Sequence, residues 1–176
     1  MIDRKRIEHA RENFNIYLKE GLLRREKNEI AKAMYIKNSE ISLRVAQTLL
    51  NQDFRPYLWV IVCSYYSMFY AANAVLLHLG YRTGEKIVHK VTSDALIALV
   101  LEKLKRGMLE EYEEAKEEAL EIASAKAESL IEDYEHELSK RSKFQYRMAE
   151  EVKEQKARTS LERAKKFTFE MKKLLE

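Results

Sequence analysis

Between residues 140 and 147 the chain gathers four cations and two flat rings: Lys140, Arg141, Lys143, Phe144, Tyr146 and Arg147. The cations suit phosphate oxygens, the planar fork of Arg141 best of all, and the rings offer faces on which bases can stack. The same residue types also make salt bridges at a helix end, so both readings stand. His89 is a second candidate, because imidazole changes charge near neutral pH and serves proton transfer there. Asp133 and His136 stand three apart, a pairing seen in metal-binding bundles. Such bundles need carboxylates facing inward from several helices, and the central apolar stretch of this chain has none, so no metal is expected. Cys63 lies in an apolar run with nothing nearby in sequence to lower its pKa, which favours packing over nucleophilic chemistry. His9 and His78 stand alone. No Gly-Lys-Ser/Thr or Gly-x-Gly element exists, so the familiar nucleotide-cradling loops are excluded and no cofactor is expected.

The elements that position these residues are helical by composition. Of 176 residues 35% are charged and 46% hydrophobic, and with four Gly and one Pro there are too few turn formers for a many-stranded sheet. The expectation is an all-α protein: an up-and-down antiparallel bundle of five to six helices in a single domain spanning residues 1–176. Ile7, Ala10, Phe14, Tyr17 and Leu18 recur at helical spacing up to Gly21, and Ile30, Met34, Ile41, Val45 and Leu49 form the next amphipathic stripe. Residues 51–56 read as a turn, with Asp53 as N-cap and Pro56 in the first helical turn. From there to Gly80 runs a helix, and no Asp, Glu, Lys or Arg occurs between Arg55 and Arg82. That length raises a membrane span. Ser64, Tyr65, Tyr66, Ser67, Tyr70 and Asn73 fall in its middle, where polar groups are costly in lipid, so the better reading is a helix buried at the centre of a bundle or beside a dimer seam. Tyr65, Tyr66, Phe69, Tyr70 and Asn73 are its candidate core or interface residues. A fourth helix follows a break at Gly80–Gly84 and ends at a turn near Gly107, a long acidic helix covers about 108–138, and an amphipathic helix closes the chain. One cysteine and no signal-like N-terminus point to a reducing cytoplasm.

Net charge is only +3, but it is distributed in blocks: −10 over residues 108–138 and +6 over 139–176. The acidic stretch can be a solvated face, or it can attract basic helices within the bundle or on a partner.

The run Ser64-Tyr65-Tyr66-Ser67-Met68-Phe69-Tyr70-Ala71-Ala72-Asn73, followed by Gly80 and His89, resembles the HEPN superfamily (higher eukaryotes and prokaryotes nucleotide-binding). The resemblance continues in Arg141-Ser-Lys-Phe-Gln-Tyr146 and in Ala164-Lys-Lys-Phe167, and covers roughly residues 25–176. It implies a dimeric helical bundle, often encoded beside a minimal nucleotidyltransferase, with many members cleaving RNA as toxins and others only binding. It also implies an Arg followed, four to six residues on, by a catalytic His. Here the slot paired with Arg141 holds Tyr146, whose phenol is a poor base at pH 7. The expectation is therefore a HEPN-like homodimer that associates with a nucleotidyltransferase, RNA or nucleotide with weak or no ribonuclease activity. The alternatives are a ribonuclease toxin using Arg141 with His89 or Tyr146, and a purely structural interaction protein.

Overall fold

The computed structural model describes residues 2–136 and 154–176. Among them the chain forms six helices and one small ribbon: α1 (Arg4–Glu20), β1 (Leu23–Arg25), α2 (Glu29–Leu50), α3 (Tyr57–His78), β2 (Tyr81–Thr83), α4 (Val88–Val100), α5 (Arg106–His136) and α6 (Glu154–Lys173). The helical bundle read from composition is what the chain builds, and the long acidic segment is one continuous helix of 31 residues.

Local chemistry sets the helix ends. The Asp3 side chain accepts the Arg6 N–H at 2.7 Å and starts α1, and Gly21 stops it in the left-handed region at φ +72°, where a Cβ would be strained. Asn28 accepts the Ala31 N–H at 2.9 Å and starts α2. α3 begins differently from the sequence expectation: Pro56, not Asp53, occupies its cap position, because the turn folds tightly through Arg55 at φ +53°. The break expected at Gly107 falls earlier, at residues 101–105, and Gly107 lies in the first turn of α5.

α3 is the hub. It packs against α2, α4, α5 and α6, and buries Val60, Ile61, Tyr65, Met68, Val75 and Leu76. An ionised side chain on such a helix would lose its water without room for a counter-charge, which accounts for the missing acids and bases. α3 is the helix, among the described residues, long and apolar enough to cross a bilayer, yet 78% of its apolar window is covered by the rest of the chain. Small side chains let its neighbours approach closely: Ser39 of α2 donates to the Ser67 carbonyl at 2.8 Å, and Ala46, Ala157 and Ala164 are fully buried.

Helices α2 and α3 form a hairpin joined by residues 51–56. α6 starts where α3 starts, since the Tyr57 hydroxyl donates to Glu154 at 3.0 Å. α5 runs antiparallel to α6, with Arg163 at 2.9 Å from Glu114 and Lys156 at 2.6 Å from Glu118. Acidic and basic blocks thus do meet inside one chain, although such solvent-facing pairs are worth about 0–1 kcal/mol each.

The ribbon β1–β2 departs from the sequence reading, which has an interruption at Gly21 and a break at Gly80–Gly84 and no strand. Leu23 pairs with Thr83, Arg24 with Arg82 and Arg25 with Tyr81, antiparallel. Gly84 closes it by donating its N–H to the Leu22 carbonyl at 2.8 Å, where an added Cβ would stand 3.2 Å from the same oxygen. Three residues per strand are too few for a period-two pattern to register.

Candidate functional site

Two residues on α3 decide where His89 lies. Asn73 is buried and fully used: its amide donates to the Phe69 carbonyl at 2.9 Å, and its carbonyl oxygen accepts the Thr83 hydroxyl at 2.8 Å. Thr92 of α4 lies at 3.3 Å from the same amide. Asn73 therefore clamps both β2 and α4, and the chain between them is turned back along α3. It reaches α4 through Ile87, exposed and held at φ +44°, a conformation unfavourable for a β-branched residue. The result places His89 not at the end of α3 but beside Tyr65, more than three turns back.

The Tyr65 hydroxyl and His89 Nδ1 are 2.7 Å apart. Burial pushes the Tyr65 phenol well above its ordinary range, so it keeps its proton at neutral pH and is able to donate it to Nδ1. Burial, and then the positive charge of Lys116, lower the His89 pKa below 6.5, so the ring is neutral at pH 7. A neutral imidazole accepting at Nδ1 carries its proton on Nε2. With Tyr65 as the donor, His89 presents Nε2–H and lacks the tautomer that a general base acting through Nε2 requires; with Nδ1–H donating to the phenol oxygen, Nε2 is an acceptor.

Rings surround it. Phe69 lies 4.6 Å from His89 by ring centroids, Tyr65 5.6 Å and Tyr66 5.9 Å. Tyr66 leads on to Tyr70 at 5.9 Å, and Tyr70 to Tyr35 of α2 at 6.1 Å. His89, Tyr66, Tyr70 and Tyr35 are each half-buried, so this ladder has an edge in water, while Tyr65 and Phe69 form its buried floor. Below the floor Tyr112 stacks on Phe167 at 5.1 Å, and its fully buried hydroxyl has no partner of normal hydrogen-bond geometry.

Next to the rings lies a second polar centre. Asp94, 2% exposed, accepts from Arg6 at 2.7 Å, from Tyr17 at 2.8 Å and from Asn13 at 2.9 Å. Glu113 accepts from Ser93, from Arg6 at 3.2 Å and from Lys116 at 3.1 Å. Burial pushes the Glu113 carboxyl up, but hydrogen bonds from Ser93 and Arg6 and the charges of Lys116 and Arg6 outweigh it and hold it below the usual carboxylate range. Lys116 belongs to both centres, bonded to Glu113 and electrically felt by His89.

Of the residues singled out in sequence, the structure brings Tyr65, Tyr66, Phe69, Tyr70 and His89 together, and gives Asn73 the clamping role. His9 and His78 are exposed and apart. Burial raises the Cys63 thiol, which leaves it unactivated. Among the described residues no group of three or more His, Cys, Asp or Glu is arranged to hold a metal. Lys140, Arg141, Lys143, Phe144, Tyr146 and Arg147 lie outside the described residues, as do the side chains of Asp133 and His136. Sequence reasoning missed Arg6, Asp94, Glu113 and Lys116. Asp94 carried a signal, since it is the one charged residue in the run from Val91 to Leu101.

The fold defines a class, the α-helical bundle, and the site defines a neutral histidine in an aromatic wall with a lysine behind it. Comparison with known proteins goes no further: no family model, no curated protein and no solved structure matches the chain.

Proposed function

We propose that the chain is a HEPN-like homodimeric binding protein that holds RNA or a nucleotide, alone or beside a minimal nucleotidyltransferase, and has little or no ribonuclease activity. The observation that carries this reading is the state of His89. Its Nδ1 is 2.7 Å from the Tyr65 hydroxyl, burial and the charge of Lys116 hold its pKa below the ordinary 6.5, and it stands in a wall of half-exposed tyrosines. Planar faces beside a polar imidazole suit a base. In this reading Tyr65 is the donor to Nδ1, which keeps the proton on Nε2 and argues against proton abstraction at the same place. Residues 140–147 add, in this reading, the phosphate contacts, with Arg141 as the fork and Phe144 and Tyr146 as further stacking faces.

The test is fluorescence anisotropy of a labelled single-stranded RNA oligonucleotide titrated with the full chain. Binding weakens as salt rises, because phosphate contacts release counter-ions. Tyr66→Ala and His89→Ala each weaken it by about 5- to 150-fold, the range for losing one stacked base, roughly 1–3 kcal/mol. Arg141→Ala reduces the salt slope. Unchanged affinity in all three variants removes the reading. Robust cleavage by the wild type that is lost in both His89→Ala and Arg141→Ala makes the protein a ribonuclease instead.

A further inference from the structure

α2 is apolar on two opposite sides. Ser39, Leu43 and Ala46 turn toward α3 and the core, whereas Ile30 is 77% exposed, Met34 59%, Ile41 47% and Val45 39%. At about 100° per residue these four fall within about 60° of one another, a stripe about 22 Å long. Four large apolar side chains aligned in this way mark an interaction surface.

We infer that this stripe is the interface with a second copy of the chain, formed by two α2 helices crossing antiparallel about a two-fold axis between Lys37 and Asn38. The proposal deepens the homodimeric part of the reading above and is independent of its RNA part. The choice of occupant rests on self-complementarity. The spacings along the stripe are four, seven and four residues, symmetric about the Lys37–Asn38 midpoint, so a two-fold lays Ile30 on Val45 of the partner subunit and Met34 on Ile41 of the partner subunit. The charges obey the same axis. Glu29, Lys37, Glu40 and Arg44 are all exposed and lie along one flank of the stripe. In the antiparallel arrangement Lys37 lies one residue of rise from Lys37 of the partner subunit and two residues, about 3 Å, from Glu40 of the partner subunit, and Arg44 falls at the same two-residue offset from Glu29 of the partner subunit, so one like-charge contact is set against two symmetry-related pairs of each opposite-charge kind. A parallel arrangement in register puts Lys37 against Lys37, Glu40 against Glu40 and Arg44 against Arg44, and is disfavoured. Within the chain Glu40 meets Lys172 at 2.7 Å and Glu29 meets Lys32 at 2.6 Å. The two carboxylates are themselves half or more open to water and readily meet a second cation.

The experiment is size-exclusion chromatography with multi-angle light scattering on the full chain at tens of micromolar. The expected mass is twice 20.8 kDa. Met34→Asp with Ile41→Asp returns it to one chain, while circular dichroism and the melting temperature hold, because both side chains face water in the single chain. Lys37→Glu weakens the dimer by roughly 10-fold or more, and adding Glu40→Lys restores it, as charges that face each other across the axis must. If the double aspartate variant fails to fold, the charge reversal and its rescue still decide the matter. A wild type of single-chain mass overturns the dimer altogether. A dimer that ignores both sets of substitutions places the interface elsewhere and overturns this surface alone.

Discussion

The two polar centres on α4 and α5 are neighbours with opposite characters. Around Asp94 and Glu113 donors from α1, α4 and α5 converge, through Arg6, Asn13, Tyr17, Ser93 and Lys116. Around His89 the partners are rings, one hydrogen bond joins it to the Tyr65 phenol, and the imidazole is half-buried. Saturation is what a structural network needs, since a buried charge left unpaired is costly. A half-exposed imidazole in an aromatic wall is what a binding site offers. The contrast separates scaffold from candidate site more sharply than residue type does, because by type alone the Arg, Asp, Glu and Lys cluster looks the more catalytic of the two.

The difference breaks most visibly at Asp94. Replacing it by Ala strands Arg6 and leaves the Tyr17 hydroxyl and the Asn13 amide without their acceptor, and severing one side of a buried ion pair costs about 3–5 kcal/mol. Thermal unfolding followed by circular dichroism is expected to show a large drop in melting temperature for Asp94→Ala. His89→Ala, in contrast, moves the melting temperature little and acts on ligand affinity. A small effect for Asp94→Ala erases the distinction between the two centres.

Much of this was legible in sequence, and the exceptions have physical reasons. The uncharged run from Pro56 to Tyr81 announced a helix enclosed by others, and the aromatic positions within it pointed to the wall that α3 contributes. His89 was singled out by its place after that helix, but the route that carries it back to Tyr65 depends on Asn73 holding Thr83, a contact between side chains on different elements that no periodicity encodes. The carboxylate network escaped for the same reason: Arg6 is 107 residues from Glu113 and nearly as far from Asp94, and the three come together only when α1 lies across α4 and α5. In α2 the stripe legible in sequence, Ile30, Met34, Ile41 and Val45, is the exposed one, whereas the face packed on α3 carries Ser39, Leu43 and Ala46, whose small or polar members give little hydrophobic signal.

A pH titration of stability sharpens the comparison by separating the two centres in range. His89 has its folded pKa below the ordinary 6.5, so the unfolded chain takes up the proton first; the stability contributed is whole above pH 6.5 and falls as the pH drops below it toward the folded value. Glu113 also has its folded pKa lowered, beneath 4.5, so its contribution is whole above that pH and is lost as the pH falls through the folded value. Urea midpoints across this range are expected to decline in two stages, with His89→Gln removing the milder one and Glu113→Gln the more acidic one. A single decline below pH 4.5, unchanged by His89→Gln, contradicts a neutral His89.

The smallest expected effect tests the tautomer on which the functional reading depends. Tyr65→Phe keeps the ring, its packing and its contacts with Tyr66 and Phe69, and removes only the proton donated to His89 Nδ1. The loss is that of one hydrogen bond, about 0.5–1.5 kcal/mol. Its sign is informative beyond its size. A donor to Nδ1 stabilises the neutral imidazole and holds the pKa down, so without it the His89 pKa rises toward 6.5, and the Nδ1–H tautomer gains population. Both changes are readable by NMR, the first from the titration of the ring protons and the second from the two ring nitrogen shifts. If Nδ1 instead donates to the phenol oxygen in the wild type, the substitution removes an acceptor. In that case the wild-type nitrogen shifts report Nδ1–H from the outset, leaving Nε2 free to accept a proton and returning His89 to the list of possible bases.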